Sequence, residues 1–487
     1  MTIDYVKAKI GLYIALMFIV MNIIGLDKSP IVWMDEVTLN DPAKEWAMNG
    51  RLISSVFSYK NGFDDAYYWQ PPGQTIIMSM VYKIFGFGIW QTRIPGVLFA
   101  SGVLVIVYLF SMNLFDNTIS AILAAGILSF DSKFIESARS ARMDTQALFF
   151  ALLGIYLVLH VLMNNVKHRR LMYLSMGSLA LGIAGVTHPI SIVWVCALAI
   201  VIFLYRKRVI VYEVFWMMFM LILPFGSWLL YIYVNDDIDL FILQFFFHGE
   251  SRLAVGSLVD RLVSEVFRYV DAYRVTPISL VIYLGSIVWF CSNARRYQRK
   301  AKALLILCIV PIMFIAVFMS KTVGYYYLHP ISLIVVVTGV MLYEFYSKWV
   351  ENFNTTVLNQ FFRGILVVVF IGYTISGILG RYIIMFYQWN ERDYTVVFES
   401  VKKHISPGSI VLGPPDIWYA VEATGSSLRI REEPNKDKHD YVVTKLASSS
   451  QIPSDMQPVY EFGESLPLVL DRFASESADY RMKIWKW

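Results

Sequence analysis

The chain has 487 residues, of which 57% are hydrophobic and 16% charged, proportions that exclude an ordinary water-soluble domain. Its formal charge of +5 is carried by short Lys and Arg clusters between apolar runs, with no continuous basic face, so nucleic acid is excluded as a partner. Cys196, Cys291 and Cys308 lie in or beside apolar runs without a CxxC pair or histidines at ligand spacing, so neither a disulfide framework nor a zinc site is expected.

Apolar runs of roughly 16 to 24 residues match a hydrocarbon slab. They cover about 8–26, 92–111, 117–131, 146–164, 171–186, 190–205, 211–233, 277–292, 303–319, 327–346 and 363–387. The first has a basic start but no small-residue cleavage site, since Gly25-Leu26-Asp27-Lys28-Ser29-Pro30 follows it, and is read as a retained span. The segment from Pro72 to Phe85 is short and carries Gln74, Ser79 and Lys83, so it reads as an interfacial helix. With that parity, Lys7 and Lys9, Lys167 with Arg169 and Arg170, Arg206-Lys207-Arg208, and Arg295 to Lys302 all fall in loops of one side. The positive-inside rule makes that side the cytoplasm.

The expected fold is an all-α polytopic membrane bundle of about eleven transmembrane helices over residues 1–390, with a long outer loop at 27–91. A small extracytoplasmic α/β domain is expected over 391–487. There Asp393 to His404 looks helical and Ser409 to Leu412 and Tyr441 to Thr444 look like strands. The N-terminus is then cytoplasmic and the protein a multi-pass component of the cell (inner) membrane. No internal repeat is visible.

The polar residues that could carry chemistry gather on the outer side. Asp35 and Glu36 follow the first span directly, where paired carboxylates are costly unless solvated or used. Two readings of Asp35 stand: a functional carboxylate, or the cap of a short helix, with Asp41-Pro42 as a second helix start and Asn49-Gly50 as its stop. Adjacent side chains diverge, so at most one of the pair should face a given reacting atom. Arg142 and Asp144 precede a span, spaced to pair or to cap. Arg252 and Lys321 are cations beside aromatics at the interface, suited to a phosphate or to ordinary snorkelling. His188 and His248 are equally placed to donate to a ligand or to sit as interfacial histidines.

The ordered set of motifs resembles the C-type glycosyltransferases of the polyprenyl-phosphate-sugar class, especially the family of protein O-mannosyltransferases and the bacterial aminoarabinose transferase of lipid A. It comprises Asp35-Glu36 after the first span, Pro71-Pro72 in the same loop, and Gly86-Phe87-Gly88 with Arg93-Ile94-Pro95. Ser137-Ala138-Arg139 through Asp144, Gly185-Val186-Thr187-His188-Pro189, and Tyr325-Tyr326-Tyr327-Leu328-His329-Pro330 after Lys321 complete it. The resemblance spans residues 8 to 390 and implies a bundle with an outward-facing cavity, in which Asp35 is the catalytic base. Two departures stand out. Trp69-Gln70 occupies the place where the lipid A enzyme commonly has Glu-Lys, and His188 the place where many members have Lys. No metal site is predicted, no cofactor is implied, and a divalent metal remains open.

The resemblance implies a donor sugar on a polyprenyl phosphate and a lipid, glycan or protein acceptor, with membrane lipids around the bundle. A phosphate leaves readily, so one carboxylate suffices as base for a single inverting displacement, with Asp35 in that role. Arg252, Lys321, His188 and Tyr325 are then expected at the donor phosphate, Glu36 and Asp144 as supporting acids, and Arg142, Gln70 and His248 as further candidates. The alternatives are a polytopic transporter or flippase of a lipid-linked or small polar substrate, and an acyl or phospho-group transferase using His188 or His329. The first needs ionisable groups near the bilayer midplane, the second a histidine in a bundle cavity.

Overall fold

The computed structural model describes residues 2–58, 61–250, 256–274, 276–319, 325–351, 371–374, 377, 379–430, 439–445, 456–463 and 480–486. In chain order the helices are α1 (Thr2–Ile23), α2 (Met34–Asn49), α3 (Gly73–Phe85), α4 (Ile89–Phe115), α5 (Thr118–Phe130), α6 (Ser132–Arg139), α7 (Asp144–Asn164) and α8 (Arg170–Thr187). They continue with α9 (Ile192–Leu204), α10 (Val211–Val234), α11 (Ile238–Glu250), α12 (Leu258–Ala272), α13 (Pro277–Phe318) and α14 (Leu328–Glu351). Then come α15 (Gly380–Tyr387), α16 (Tyr394–His404) and α17 (Trp418–Ala423).

Among the described residues, seven helical segments are long and apolar enough to cross a membrane, or eight if the bent pair α5 and α6 is one span. Two shorter apolar stretches, Lys9–Ile23 and Pro189–Leu204, coincide with expected spans, whereas most of the run at 363–387 lies outside the described residues. The expected interfacial segment is α3. It is preceded by Pro72 and stopped by Gly86 at φ 80, a backbone angle that favours glycine.

Three expected loops hold helix instead. Residues 132–145 contain α6, which the Asp131 carboxylate caps by accepting from the Lys133 and Phe134 amides at 3.0 and 2.9 Å, bending the chain by 62° after α5. The loop 234–276 contains α11 and α12. The basic stretch Arg295 to Lys302 is helical within α13. Near its start the Tyr283 hydroxyl donates to Asp131 at 2.7 Å. Midway, Lys300 Nζ donates to the carbonyl of Leu114 at 3.0 Å, and near its end Val317 O accepts from Arg261 of α12 at 2.9 Å. The helical run thus goes from one end of the bundle to the other and back. Its basic midpoint shares that far end with Arg208, which donates to the carbonyls of Leu162 and Met163 at 2.8 Å, and with the pair Arg170 and Glu213 at 2.6 Å.

At the other end sits a five-stranded sheet, β1 (Ile410–Leu412), β2 (Ser427–Arg429), β3 (Tyr441–Lys445), β4 (Gln457–Phe462) and β5 (Met482–Lys486), ordered β2-β1-β3-β5-β4. β1 is parallel to β2 and β3, while β5 is antiparallel to β3 and β4. The core beneath the sheet is shared: Ile31, Val32, Val37 and Val56 of the first loop are buried with Val397, Trp418, Leu428 and Ile484. The sheet domain is therefore packed onto α2 rather than tethered beside it.

Candidate active site

The segments expected on the outer side converge at the end of the bundle that carries the sheet domain. α2 presents Asp35, half-exposed with 44% of its side chain accessible. The carboxylate does not cap the helix: the position before α2 is Trp33, which makes no side-chain cap, and α2 runs straight through Asp41-Pro42 to Gly50. Asp41 is used elsewhere, accepting from the hydroxyls of Ser54 and Ser55, both at 2.8 Å, and from the Val56 amide at 3.1 Å. Of the two readings of Asp35, the cap is thereby removed.

Asp35 Oδ2 instead accepts from Arg142 Nη1. The Arg142 guanidinium is buried and bridges two carboxylates, its Nε donating to Asp144 Oδ2 at 2.7 Å. Its charge also lies 4.7 Å from the Tyr325 ring centre and 5.4 Å from that of Trp33, so aromatic faces complete its shell. The backbone holds it in place. Ala141 sits at φ 53, and its carbonyl accepts from Asn40 Nδ2 at 2.9 Å and from Gln74 Nε2 at 3.3 Å. Two close approaches make this geometry possible: a Cβ on Gly73 would come within 2.7 Å of the Val186 carbonyl, and one on Gly96 within 2.5 Å of the Ala138 carbonyl.

His188 joins the cluster from the turn after α8. Its Nδ1 accepts from the Ile190 amide at 3.2 Å, and its Nε2 lies 3.9 Å from Asp144 Oδ1. Its ring is 5.5 Å from that of Tyr326. Tyr325, also at positive φ (81), donates its hydroxyl to Glu136 Oε1 at 2.8 Å and lends its ring to Arg142, so it serves the cluster through the ring.

Glu36 is not part of this cluster. It has no exposed surface and is held by Arg93, whose Nε and Nη2 donate to its two oxygens at 2.8 and 2.7 Å, and by the Tyr419 hydroxyl at 2.7 Å. The supporting role expected of Glu36 in the site is corrected accordingly: it is a buried ion-pair partner, about 100° around α2 from Asp35. Gln70 is half-buried in the loop before Pro71. His248 falls on α11, and Arg252 and Lys321 lie outside the described residues. His329 is buried, its Nδ1 accepting from Trp194 Nε1 at 2.7 Å.

One cation was missed from the sequence. Arg268 of α12 is 4% exposed and lies 5.9 Å from the Tyr326 ring. Its Nε is 2.9 Å from Glu265 Oε2 without hydrogen-bond alignment, and Nη1 has no hydrogen-bond partner among the described residues. The signal was there. In α12 Leu258, Val259, Leu262, Val263, Val266, Phe267 and Val270 repeat at helical spacing and are exposed, while Glu265 and Arg268 face inward. α12 is thus amphipathic, with Glu265 and Arg268 on its buried face.

Among the described residues no three His, Cys, Asp or Glu side chains converge so as to hold a metal ion. The cluster thus offers a half-exposed carboxylate oriented by a cation and a second acid fixing that cation, with the buried Arg268 reaching it through the Tyr326 ring beside His188. This arrangement can accept a proton at one point and bind an anion at another.

Residues 69–231, about a third of the chain, match the family described as dolichyl-phosphate-mannose-protein mannosyltransferase. The matched stretch holds Gln70, Arg142, Asp144 and His188 but not Asp35. No curated protein sequence matches at a significant level. Among solved structures, ArnT from Cupriavidus metallidurans in the apo state is 14% identical at a TM-score of 0.63, covering 97% of each chain. The same protein bound to undecaprenyl phosphate gives 14% and 0.61, again over 97% of each chain. The archaeal oligosaccharyltransferase AglB from Archaeoglobus fulgidus, in complex with an inhibitory peptide and a dolichol-phosphate, is 12% identical at 0.53, covering 89% of this chain and 69% of that one. The match to ArnT over 97% of each chain shows that the two share a fold.

Proposed function

We propose that the protein is an integral membrane glycosyltransferase that moves a sugar from a polyprenyl-phosphate donor to an acceptor hydroxyl on the extracytoplasmic side. The observation that carries this reading is the Asp35, Arg142 and Asp144 chain, which sets one half-exposed carboxylate at the meeting point of the polar loops. The family matched by residues 69–231 and the lipids bound in the structural neighbours, undecaprenyl phosphate and dolichol-phosphate, support the donor class.

In this reading Asp35 takes the proton of the acceptor hydroxyl as that oxygen attacks the anomeric carbon. The bond from that carbon to the phosphate oxygen breaks with inversion, and the polyprenyl phosphate leaves with the electron pair. Arg142 engages Asp35 Oδ2 and leaves Oδ1 with no partner among the described residues, available for the proton. Arg268 stabilises the charge building on the phosphate, a task expected also of Arg252 and Lys321. Asp144 keeps Arg142 in register, and His188 borders the same acid.

Mass spectrometry of lipid-linked sugars and envelope glycans in cells with and without the gene tests the reading. An isoprenoid-phosphate sugar accumulating without the gene, together with loss of that sugar from a glycan, is expected. Unchanged pools of both would overturn it, and a donor that disappears from the outer leaflet while accumulating on the inner one would point to the flippase instead. For orientation, a reporter after Trp487 should be active outside the cytoplasm and one placed between Arg295 and Lys302 inside.

A further inference from the structure

The sheet domain grips α2 along one face. The Tyr419 hydroxyl donates to Glu36 Oε1 at 2.7 Å, Lys44 Nζ lies 2.5 Å from Glu422 Oε2, and the Ile430 amide donates to the Val56 carbonyl at 3.2 Å. Val56 returns its own amide to Asp41 at 3.1 Å, and Val37 is fully buried in the core beneath the sheet. Glu36, Val37, Asp41 and Lys44 follow helical spacing and form one stripe, with Asp35 on the flank that meets Arg142.

We infer that the C-terminal domain is a positioning element of the active site, and that Tyr419 is its positioning residue, acting through Glu36 to fix the first turn of α2. Glu36 is one peptide from Asp35, so any rocking of that turn is shared by both. Arg93 ties Glu36 to α4 through one planar fork, which leaves rotation about the fork axis. Tyr419 supplies a third point from a different element. It is itself immobile: its ring is stacked on Phe87 with centres 5.3 Å apart and packs edge-on against Tyr394 at 6.0 Å. Arg93 also donates to the carbonyls of Leu26 and Pro30, both at 2.7 Å, so the chain entering α2 is fixed from the bundle side. The domain closes the clamp from the other side, and the gap between Asp35 and the reacting hydroxyl is set by both.

The inference rests on Asp35 being the base, and the experiment separates the two. Full-length Tyr419→Phe, Arg429→Ala and Asp35→Asn are compared in membranes with the parental protein. Turnover is read as undecaprenyl phosphate released from a synthetic undecaprenyl-phosphate-linked sugar that the parental protein consumes. Arg429 contacts Ser55 O at 2.5 Å, remote from the first turn, so Arg429→Ala loosens the domain without touching Glu36. Tyr419→Phe keeps the ring and should lower kcat about ten-fold with KM for the donor unchanged, because a base held loosely loses rate before it loses binding. Its amides at residues 34–40 should exchange hydrogen faster, whereas Arg429→Ala should lower the melting temperature and leave both readouts at the parental level. Parental kcat and exchange in Tyr419→Phe would overturn the inference, as would kcat losses in both variants that track melting temperature. Asp35→Asn at the parental rate would instead sink the base assignment, and the exchange of residues 34–40 would still decide whether Tyr419 fixes that turn.

Discussion

Asp35 and Glu36 are neighbours in the chain, yet the first has 44% of its side chain exposed and the second has none. The two faces of α2 divide what a carboxylate can do. On the exposed face a charge stays partly hydrated, is oriented by one cation, and keeps an oxygen available for a proton. On the domain face a charge is dehydrated, and the ion pair with Arg93 plus the Tyr419 hydroxyl compensates for that. Chemistry needs the first arrangement and rigidity the second, and one helix supplies both because successive residues diverge by about 100°.

The largest effect should come from the exposed face. Asp35→Asn is close to isosteric and removes the proton acceptor, so turnover should fall by about 10² to 10⁴. The carboxylate caps nothing and its ion pair is half-exposed, so stability should change by less than about 1 kcal/mol. A normally expressed Asp35→Asn with parental turnover would erase the functional half of the contrast. On the domain face the order reverses. Arg93→Ala strands the Glu36 carboxylate in a site with no exposed surface and should cost about 3 to 5 kcal/mol, read as a large drop in melting temperature. A loss under about 1 kcal/mol would mean that Glu36 is hydrated in the working protein, and the two faces would no longer differ.

How much of this the sequence disclosed depends on which force placed each residue. Spans were legible because run length against bilayer thickness is a direct physical match, and α3 because Pro72, Lys83 and Gly86 mark its ends and its polarity. Asp35, Arg142, Asp144, His188 and Tyr325 were nameable only as candidates beside Glu36, Gln70, His248, Arg252 and Lys321, since charged and aromatic residues at span ends are expensive without a use; that these five lie together was not legible. The separation of Glu36 followed from helical geometry, which already allowed only one of the adjacent acids to face a reacting atom, although the motif had grouped them. The partners of Glu36 were not legible: Arg93 is 57 positions away and Tyr419 is 383 positions away, and no local pattern encodes such contacts. Asp41-Pro42 misled because an aspartate before proline is a common helix start, whereas here tertiary bonds to Ser54, Ser55 and Val56 claim the side chain. Arg268 was overlooked because α12 is apolar outward and polar inward, the reverse of a soluble helix.

That arginine sharpens the contrast from the side of the Asp35 cluster. Its guanidinium has an unpaired Nη1 among the described residues, and a phosphate would supply charge-assisted hydrogen bonds worth about 1.5 to 3 kcal/mol. Arg268→Ala should therefore raise KM for the donor about ten-fold or more, with a smaller change in kcat than Asp35→Asn. Equal affinity for undecaprenyl phosphate in the parental protein and the variant would remove Arg268 from the phosphate site.

The smallest effect expected is a pH dependence on the domain face. Lys44 lies 2.5 Å from Glu422 and 2.8 Å from Glu45, with Asp41 buried nearby, so three acids share one ammonium. Burial pushes the Glu422 carboxyl up to about 7, Lys44 opposes the shift, and the Asp41 charge adds to it. A carboxyl whose folded value lies above its unfolded one holds a proton in the folded state that the unfolded chain has released. Its contribution is therefore fully present below the ordinary carboxylate range near 4.5 and is lost as pH rises through about 7. The grip of the sheet domain on α2 should thus be tighter at pH 5 than at pH 8, and Glu422→Gln, which is neutral throughout, should flatten that slope. The readout is the melting temperature of the full-length protein across this range, with exchange at residues 418–423 as the local check. Asp393, also on this domain, moves the other way. Burial would raise it, but the Thr395 amide and Lys28 hold it below the usual range, so its contribution is lost only as pH falls through that lowered value, beneath the Glu422 window. A parental slope that rises between pH 5 and pH 8, or one that survives Glu422→Gln unchanged, would show that Lys44 keeps Glu422 ionised and that the acids on the domain face are compensated in full.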